Sequence, residues 1–174
     1  MKRLKRYTED QWMLIAGTPS LIGSAMAGAA SSGLGTMKEL MASMRTVIEG
    51  KTMYPDNDII QAIVAKPEDR EQAMADFKKY RENAMARVKE NNISKPSEIK
   101  AMAMDDLNTV LDILGENEQA ETLTEYKHWI MNIAQTVAEA AKEGSILGFG
   151  GVRVSEEEHA FLEELKQTMA IDMV

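Results

Sequence analysis

The chain has 174 residues and no cysteine, which is enough for one domain with its own core and excludes disulfides, thiol catalysis and cysteine-ligated zinc. Its net charge is −8, although the first six residues, MKRLKR, hold four of the twenty basic side chains. The remaining sixteen basic residues face twenty-eight acidic ones, a balance that disfavours nucleic acid as a partner. We expect residues 1–7 to form a basic tail and residues 8–174 a single helical domain.

The N-terminal region resembles a secretory signal in having a basic start and no charged residue between Gln11 and Met37. Glu9 and Asp10, however, interrupt the transition from basic to apolar residues, and Pro19 breaks the apolar run. We therefore predict a cytoplasmic protein without stable membrane insertion.

Two short helices are predicted at the N-terminus. Thr8 and Gln11 have the spacing of a capping box and predict a helix that ends at Gly17. Thr18 followed by Pro19 is typical of a second helix start, which predicts another helix to about residue 30.

Gly23 and Ala27 lie four residues apart in this second helix, so another helix backbone can approach it closely. That approach would occur either inside the protein, which we favour, or in an interface with a partner.

The next helix is predicted to begin with a capping box of Thr36 and Glu39 and to end at Gly50. Its apolar residues recur at helical spacing and predict one stripe, made of Met37, Leu40, Met41, Met44, Val47 and Ile48. We expect the clustered methionines Met37, Met41 and Met44 to fill the core, with a partner-binding groove as the alternative. The segment DNDIIQAIVAK predicts a further short helix.

Three longer helices are predicted over 67–91, 97–114 and 118–142, the second closed by Gly115. Only three residues separate the second from the third, so these two should form a helical hairpin. A last helix begins with a capping box of Ser155 and Glu158. The predicted fold is a single irregular all-α bundle of six or seven helices with a C-terminal helical hairpin, in which helices 67–91 and 118–142 form the spine.

The run GSILGFGG before the last helix contains four glycines. The acidic residues 156–158 in the first turn of that helix would repel phosphate, so we predict a corner between helices. Ile146, Leu147, Phe149 and Arg153 are candidate interaction residues in this loop.

Two E-x-x-H motifs indicate an alternative, a ferritin-like metal site made by Glu125, His128, Glu156 and His159. Helical rotation, at about 100° per residue, turns these side chains away from the apolar stripes of their helices. We therefore expect neither a catalytic set nor a cofactor.

The segments WIMNIAQTVAEAAKEGSILGFGGVRVSEEE and SSGLGTMKELMASM resemble a family of small uncharacterised bacterial all-α proteins, a resemblance that implies a bacterial source and no particular chemistry. We predict a non-enzymatic protein that acts by association, as a homo-oligomer or with a protein partner. The fourteen methionines leave a carrier of a small apolar ligand as a further alternative.

Overall fold

The computed structural model describes residues 4–29, 36–64, 70–142 and 154–171. In these ranges the chain forms seven helices and no strand: α1 (Glu9–Ala29), α2 (Thr36–Met53), α3 (Asp58–Ile63), α4 (Arg70–Glu90), α5 (Pro96–Asn117), α6 (Ala120–Lys142) and α7 (Glu156–Met169). The predicted all-α bundle is thereby confirmed.

Helix α1 lies at the centre of the bundle and packs against α2, α5 and α6. It is buried along most of its length, through Trp12, Ile15, Ala16, Thr18, Pro19, Ile22, Gly23, Ala25, Met26 and Ala27. α5 and α6 follow one another across a two-residue connection, and both pack most extensively against α1 or α2.

The predicted break between two N-terminal helices is wrong, because α1 continues through Thr18 and Pro19. The Thr18 hydroxyl donates a hydrogen bond to the Leu14 carbonyl, 2.8 Å away, within the same helix. Pro19 has no N–H, so the Ile15 carbonyl four residues earlier loses its helical donor. The buried Tyr126 hydroxyl of α6 donates to that carbonyl instead, at 2.8 Å. A side chain distant in sequence thus restores the bond that proline removes.

Two glycines predicted to end helices also lie inside them. Gly50 is in the last turn of α2, which continues to Met53, and Gly115 precedes the end of α5 at Asn117. Gly50 is buried and Gly115 is exposed, so these two helical glycines have different environments.

Two predicted capping boxes are present and one is not. Thr8 and Gln11 exchange backbone-to-side-chain hydrogen bonds of 3.0 and 3.2 Å, and Ser155 and Glu158 do the same at the start of α7. The Glu39 carboxylate has no hydrogen-bond partner, so it does not close the box predicted with Thr36.

The predicted spine is only half right. α6 is a core helix, but α4 packs chiefly on α1, and its described side chains are largely exposed. Among its described contacts with α5 is an ion pair in which Arg87 donates to both oxygens of the buried Asp106, at 2.5 and 2.6 Å. That hydrogen-bonded carboxylate raises the pKa of Arg87 despite partial burial. Polar contacts thus help to hold α4 to the bundle.

Part of the predicted basic tail, residues 1–7, belongs to the folded domain. Arg6 donates hydrogen bonds of 2.8 and 2.9 Å to Asp58 and of 2.6 Å to Glu118. Tyr7 is buried and its hydroxyl donates to Glu118. Burial and the bond to Glu118 both raise the pKa of Tyr7. Arg6 therefore binds both the start of α3 and the α5–α6 connection, and Tyr7 binds that connection as well.

Candidate functional site

Helix α2 exposes its apolar residues. The side chains of Met41, Met44 and Ile48 are 65%, 45% and 61% exposed. They follow the three-then-four residue spacing that places side chains in one line on a helix. We call these three residues the α2 stripe. The core filling expected of the clustered methionines is wrong for Met41 and Met44, and Ile48 of the α2 stripe is exposed with them. Leu40 and Val47 are partly buried, and the Met37 side chain lies outside the described residues.

The opposite face of α2 is polar or small, and it is this face that packs into the bundle. Glu39, Ser43 and Thr46 are 1%, 5% and 2% exposed, and Gly50 is buried with them. At about 100° per residue, these four lie roughly opposite Met41 around the helix. The Thr46 hydroxyl donates to the Ala42 carbonyl at 3.0 Å, which satisfies it locally. α2 is therefore inverted relative to an ordinary amphipathic helix of a globular core.

Small residues explain why α2 presents this face to the core. A Cβ atom on Gly23 of α1 would lie 1.9 Å from the Ser43 hydroxyl oxygen, and one on Gly50 would lie 2.2 Å from the Trp129 indole nitrogen. Both distances are too short for real atoms, so the glycines permit contacts that any other residue would block. Close approach of α2 to α1 and α6 therefore selects the small, polar face of α2.

This packing leaves buried polar groups without partners. Both Glu39 oxygens, one oxygen of Glu158 and the Trp129 indole nitrogen lack hydrogen bonds. Glu39 and Glu158 are both buried. Burial, followed by the charge of Glu158, raises the pKa of Glu39. An unpaired buried carboxylate is costly when ionised, so this end of α2 is a destabilising feature of the folded protein.

The E-x-x-H residues do not form a site. His128, His159 and Glu156 are exposed. Glu125 accepts a hydrogen bond of 2.9 Å from the side-chain amide of Asn57, the residue that caps α3. Among the described residues, no three His, Cys, Asp or Glu side chains come together in a way that could hold a metal ion.

The other predicted interaction residues are not on the described surface. Gly23 and Ala27 are buried within the bundle, so their close spacing serves internal packing. The loop residues Ile146, Leu147, Phe149 and Arg153 lie outside the described residues. The sequence interpretation favoured core filling for the α2 methionines and kept a partner groove only as an alternative. A further signal for their exposure was the small or polar face made by Ser43, Thr46 and Gly50.

By length and composition, α1 could also cross a membrane, and 56% of its most apolar 18-residue window is buried inside the protein. Core helices of soluble proteins pass the same test, which makes this weak evidence for a membrane span.

Comparisons of the chain with models of protein families, with curated proteins and with solved structures found no match. The resemblance to a bacterial family described above therefore stays a prediction.

Proposed function

We propose that the protein acts by self-association, and that the α2 stripe is the surface on which two copies meet. The observation that carries this proposal is the exposure of Met41, Met44 and Ile48 on a helix whose other face is already packed. Each Å² of apolar surface left in water costs about 25 cal/mol. A contiguous line of large apolar side chains is a feature by which interaction surfaces are recognised, and unbranched methionines adapt readily to a partner.

Charge favours a second copy as the occupant. The protein carries a net charge of −8, so two copies repel each other over most of their surfaces. The exposed side chains described on α2 include two cations, Lys38 and Arg45, and one carboxylate, Glu49. This face is therefore one on which two acidic molecules can approach with little repulsion.

A pair of matched variants tests the proposal. Ile48 and Met85 are 61% and 62% exposed, on α2 and α4 respectively. Ile48→Glu and Met85→Glu each add one carboxylate to an exposed helical position. Sedimentation velocity over a concentration series should show a dimer for the wild type and for Met85→Glu. Ile48→Glu should weaken dimerisation at least about tenfold, because a charge in an apolar contact is desolvated without a partner.

Two results would contradict self-association through this face. One is a wild-type protein that stays monomeric up to roughly 1 mM, where association would be weaker than about −4 kcal/mol. The other is a dimer that Ile48→Glu leaves intact. Circular dichroism of each variant checks that helicity is preserved.

A further inference from the structure

We infer that the two copies pack their α2 helices antiparallel about a twofold axis near Met44, with Lys38 of each copy opposite Glu49 of the other. This inference rests on the proposed self-association. It adds the register, the orientation and the residues that specify them.

The spacing of the α2 stripe fits a helix-to-helix contact. Met41, Met44 and Ile48 alternate by three and four residues, as the seam residues of coiled coils do. Met41 and Ile48 lie within about 20° of each other around the helix, with Met44 about 60° from Met41. With a twofold axis between Met44 and Arg45, Met41 faces Ile48 of the second copy and the two Met44 side chains meet at the centre. All three residues of the stripe are then covered.

The charged residues that flank the stripe set the direction. Lys38, Arg45 and Glu49 lie about 40–80° around the helix from Met41, all on the same side. A twofold axis perpendicular to both helices keeps that side facing the corresponding side of the second copy. In the register given above, Lys38 is 6.5 residues before the axis and Glu49 is 4.5 residues after it. Lys38 of one copy and Glu49 of the other are therefore offset by only about 3 Å along the helix axis, at about 1.5 Å per residue.

Two reciprocal Lys38–Glu49 pairs therefore form in one antiparallel dimer, while the two Arg45 side chains meet near the axis, each with Glu49 of its own copy beside it. In a parallel pair the twofold axis runs along the helices and places the charged sides of the two copies on opposite sides of the seam, so neither Lys38 nor Glu49 gains a partner there. Within each copy, Arg45 already pairs with Glu49 at 3.1 Å. Lys38 pairs with no described acid of its own copy, so it is available to pair across the interface. Flanking charges of this kind choose orientation and partner in helix pairs.

Charge reversal tests the register. Lys38→Glu and Glu49→Lys should each weaken dimerisation about tenfold at low ionic strength, because each converts two attractive contacts into two repulsive ones. An equimolar mixture of the two variants should associate within about twofold of the wild type, because both contacts are attractive again in the mixed dimer. The variants have net charges of −10 and −6, so overall charge repels the two copies of the mixed dimer about as strongly as those of the wild-type dimer, each with −8. Lys89→Glu, at an exposed position on α4, is the control for Lys38→Glu and should not complement Glu49→Lys.

The outcomes separate the register from the proposed function. If Ile48→Glu abolishes the dimer but neither charge variant weakens it, the antiparallel register is wrong while association through α2 stands. A wild type no tighter than the single variants, together with a tighter mixture, also overturns the inference, because Lys38 and Glu49 would then not attract each other across the interface. If Ile48→Glu has no effect, the proposed function itself fails.

Discussion

Helices α2 and α6 both carry apolar residues at helical spacing, yet they turn opposite faces to the core. In α6 the apolar residues Tyr126, Ile130, Ile133, Ala134 and Val137 are buried. In α2 the central apolar residues are exposed, and Glu39, Ser43, Thr46 and Gly50 are buried instead. A hydrophobic stripe thus predicts a helix reliably, whereas the direction in which the stripe faces also depends on how closely neighbouring helices approach.

The largest expected difference between the two helices is in their alanine variants. Ile130→Ala should lower the free energy of unfolding by about 2–5 kcal/mol, because it opens a cavity in the core. Ile48→Ala should change it by less than about 0.5 kcal/mol, because Ile48 is 61% exposed. Urea unfolding at a concentration where the protein is monomeric measures both. A loss of about 2 kcal/mol or more for Ile48→Ala would mean that α2 is rotated so that Ile48 faces the core.

What the sequence predicts well is local. Helix positions follow from apolar spacing, and two capping boxes follow from side chains three residues apart. Most of the errors involve contacts between distant segments; Gly115, exposed inside α5, is an exception. Thr18 and Pro19 have the pattern of a helix start, but the Tyr126 hydroxyl satisfies the carbonyl that Pro19 leaves free. Gly50 resembles a helix end, but it is buried beside the Trp129 indole.

For the same reason, the sequence favoured the core over the surface for the methionines of α2. Glu39, three residues after Thr36, has the pattern of a solvated capping residue. Its burial depends on where α1, α6 and α7 come to lie, which local pattern does not encode. Gly23 was predicted to allow close helix approach, and the structure places it against Ser43 of α2. That contact explains the inversion of α2, although the sequence alone did not identify the helix that makes it.

The second prediction compares two glycines inside helices. Gly50→Ala should destabilise the protein by about 2–3 kcal/mol, because its methyl group would overlap the Trp129 ring. Gly115→Ala should instead stabilise it by about 0.5–1 kcal/mol, because nothing lies within 4 Å of the added Cβ and alanine favours the helix. Thermal unfolding of the two variants checks this. Equal effects would show that α2 is not packed closely on α6.

The third prediction concerns the bond that allows α1 to remain one helix. Tyr126→Phe should cost about 1–2 kcal/mol, because it leaves the buried Ile15 carbonyl without a donor. Pro19→Ala restores a backbone N–H to that carbonyl, so it should offset most of the loss in the Tyr126→Phe background. A double-mutant cycle of unfolding free energies measures this coupling. Additive effects of the two substitutions would contradict the link between the proline and the tyrosine.

The smallest effect is expected at the buried polar end of α2. Burial, together with the charge of Glu158, raises the pKa of Glu39 above its value in the unfolded chain. The protonated form is therefore favoured by folding. The stability that protonated Glu39 contributes is fully present below about pH 4.3, the pKa of a glutamate in the unfolded chain. It is lost as the pH rises through the higher pKa of Glu39 in the folded protein. Glu39→Gln should accordingly stabilise the protein at pH 7 by about 1 kcal/mol and remove that pH dependence.

Glu49→Gln, on the exposed face of the same helix, is the matched control and should change the stability of the monomer by less than about 0.5 kcal/mol. Unfolding free energies between pH 4 and pH 8 distinguish the two variants. If Glu39→Gln destabilises the protein at pH 7, the carboxylate must be bound to a cation or a donor that needs its charge. The polar face of α2 would then be held in the core by that interaction, and close helix approach alone would not explain why α2 is inverted.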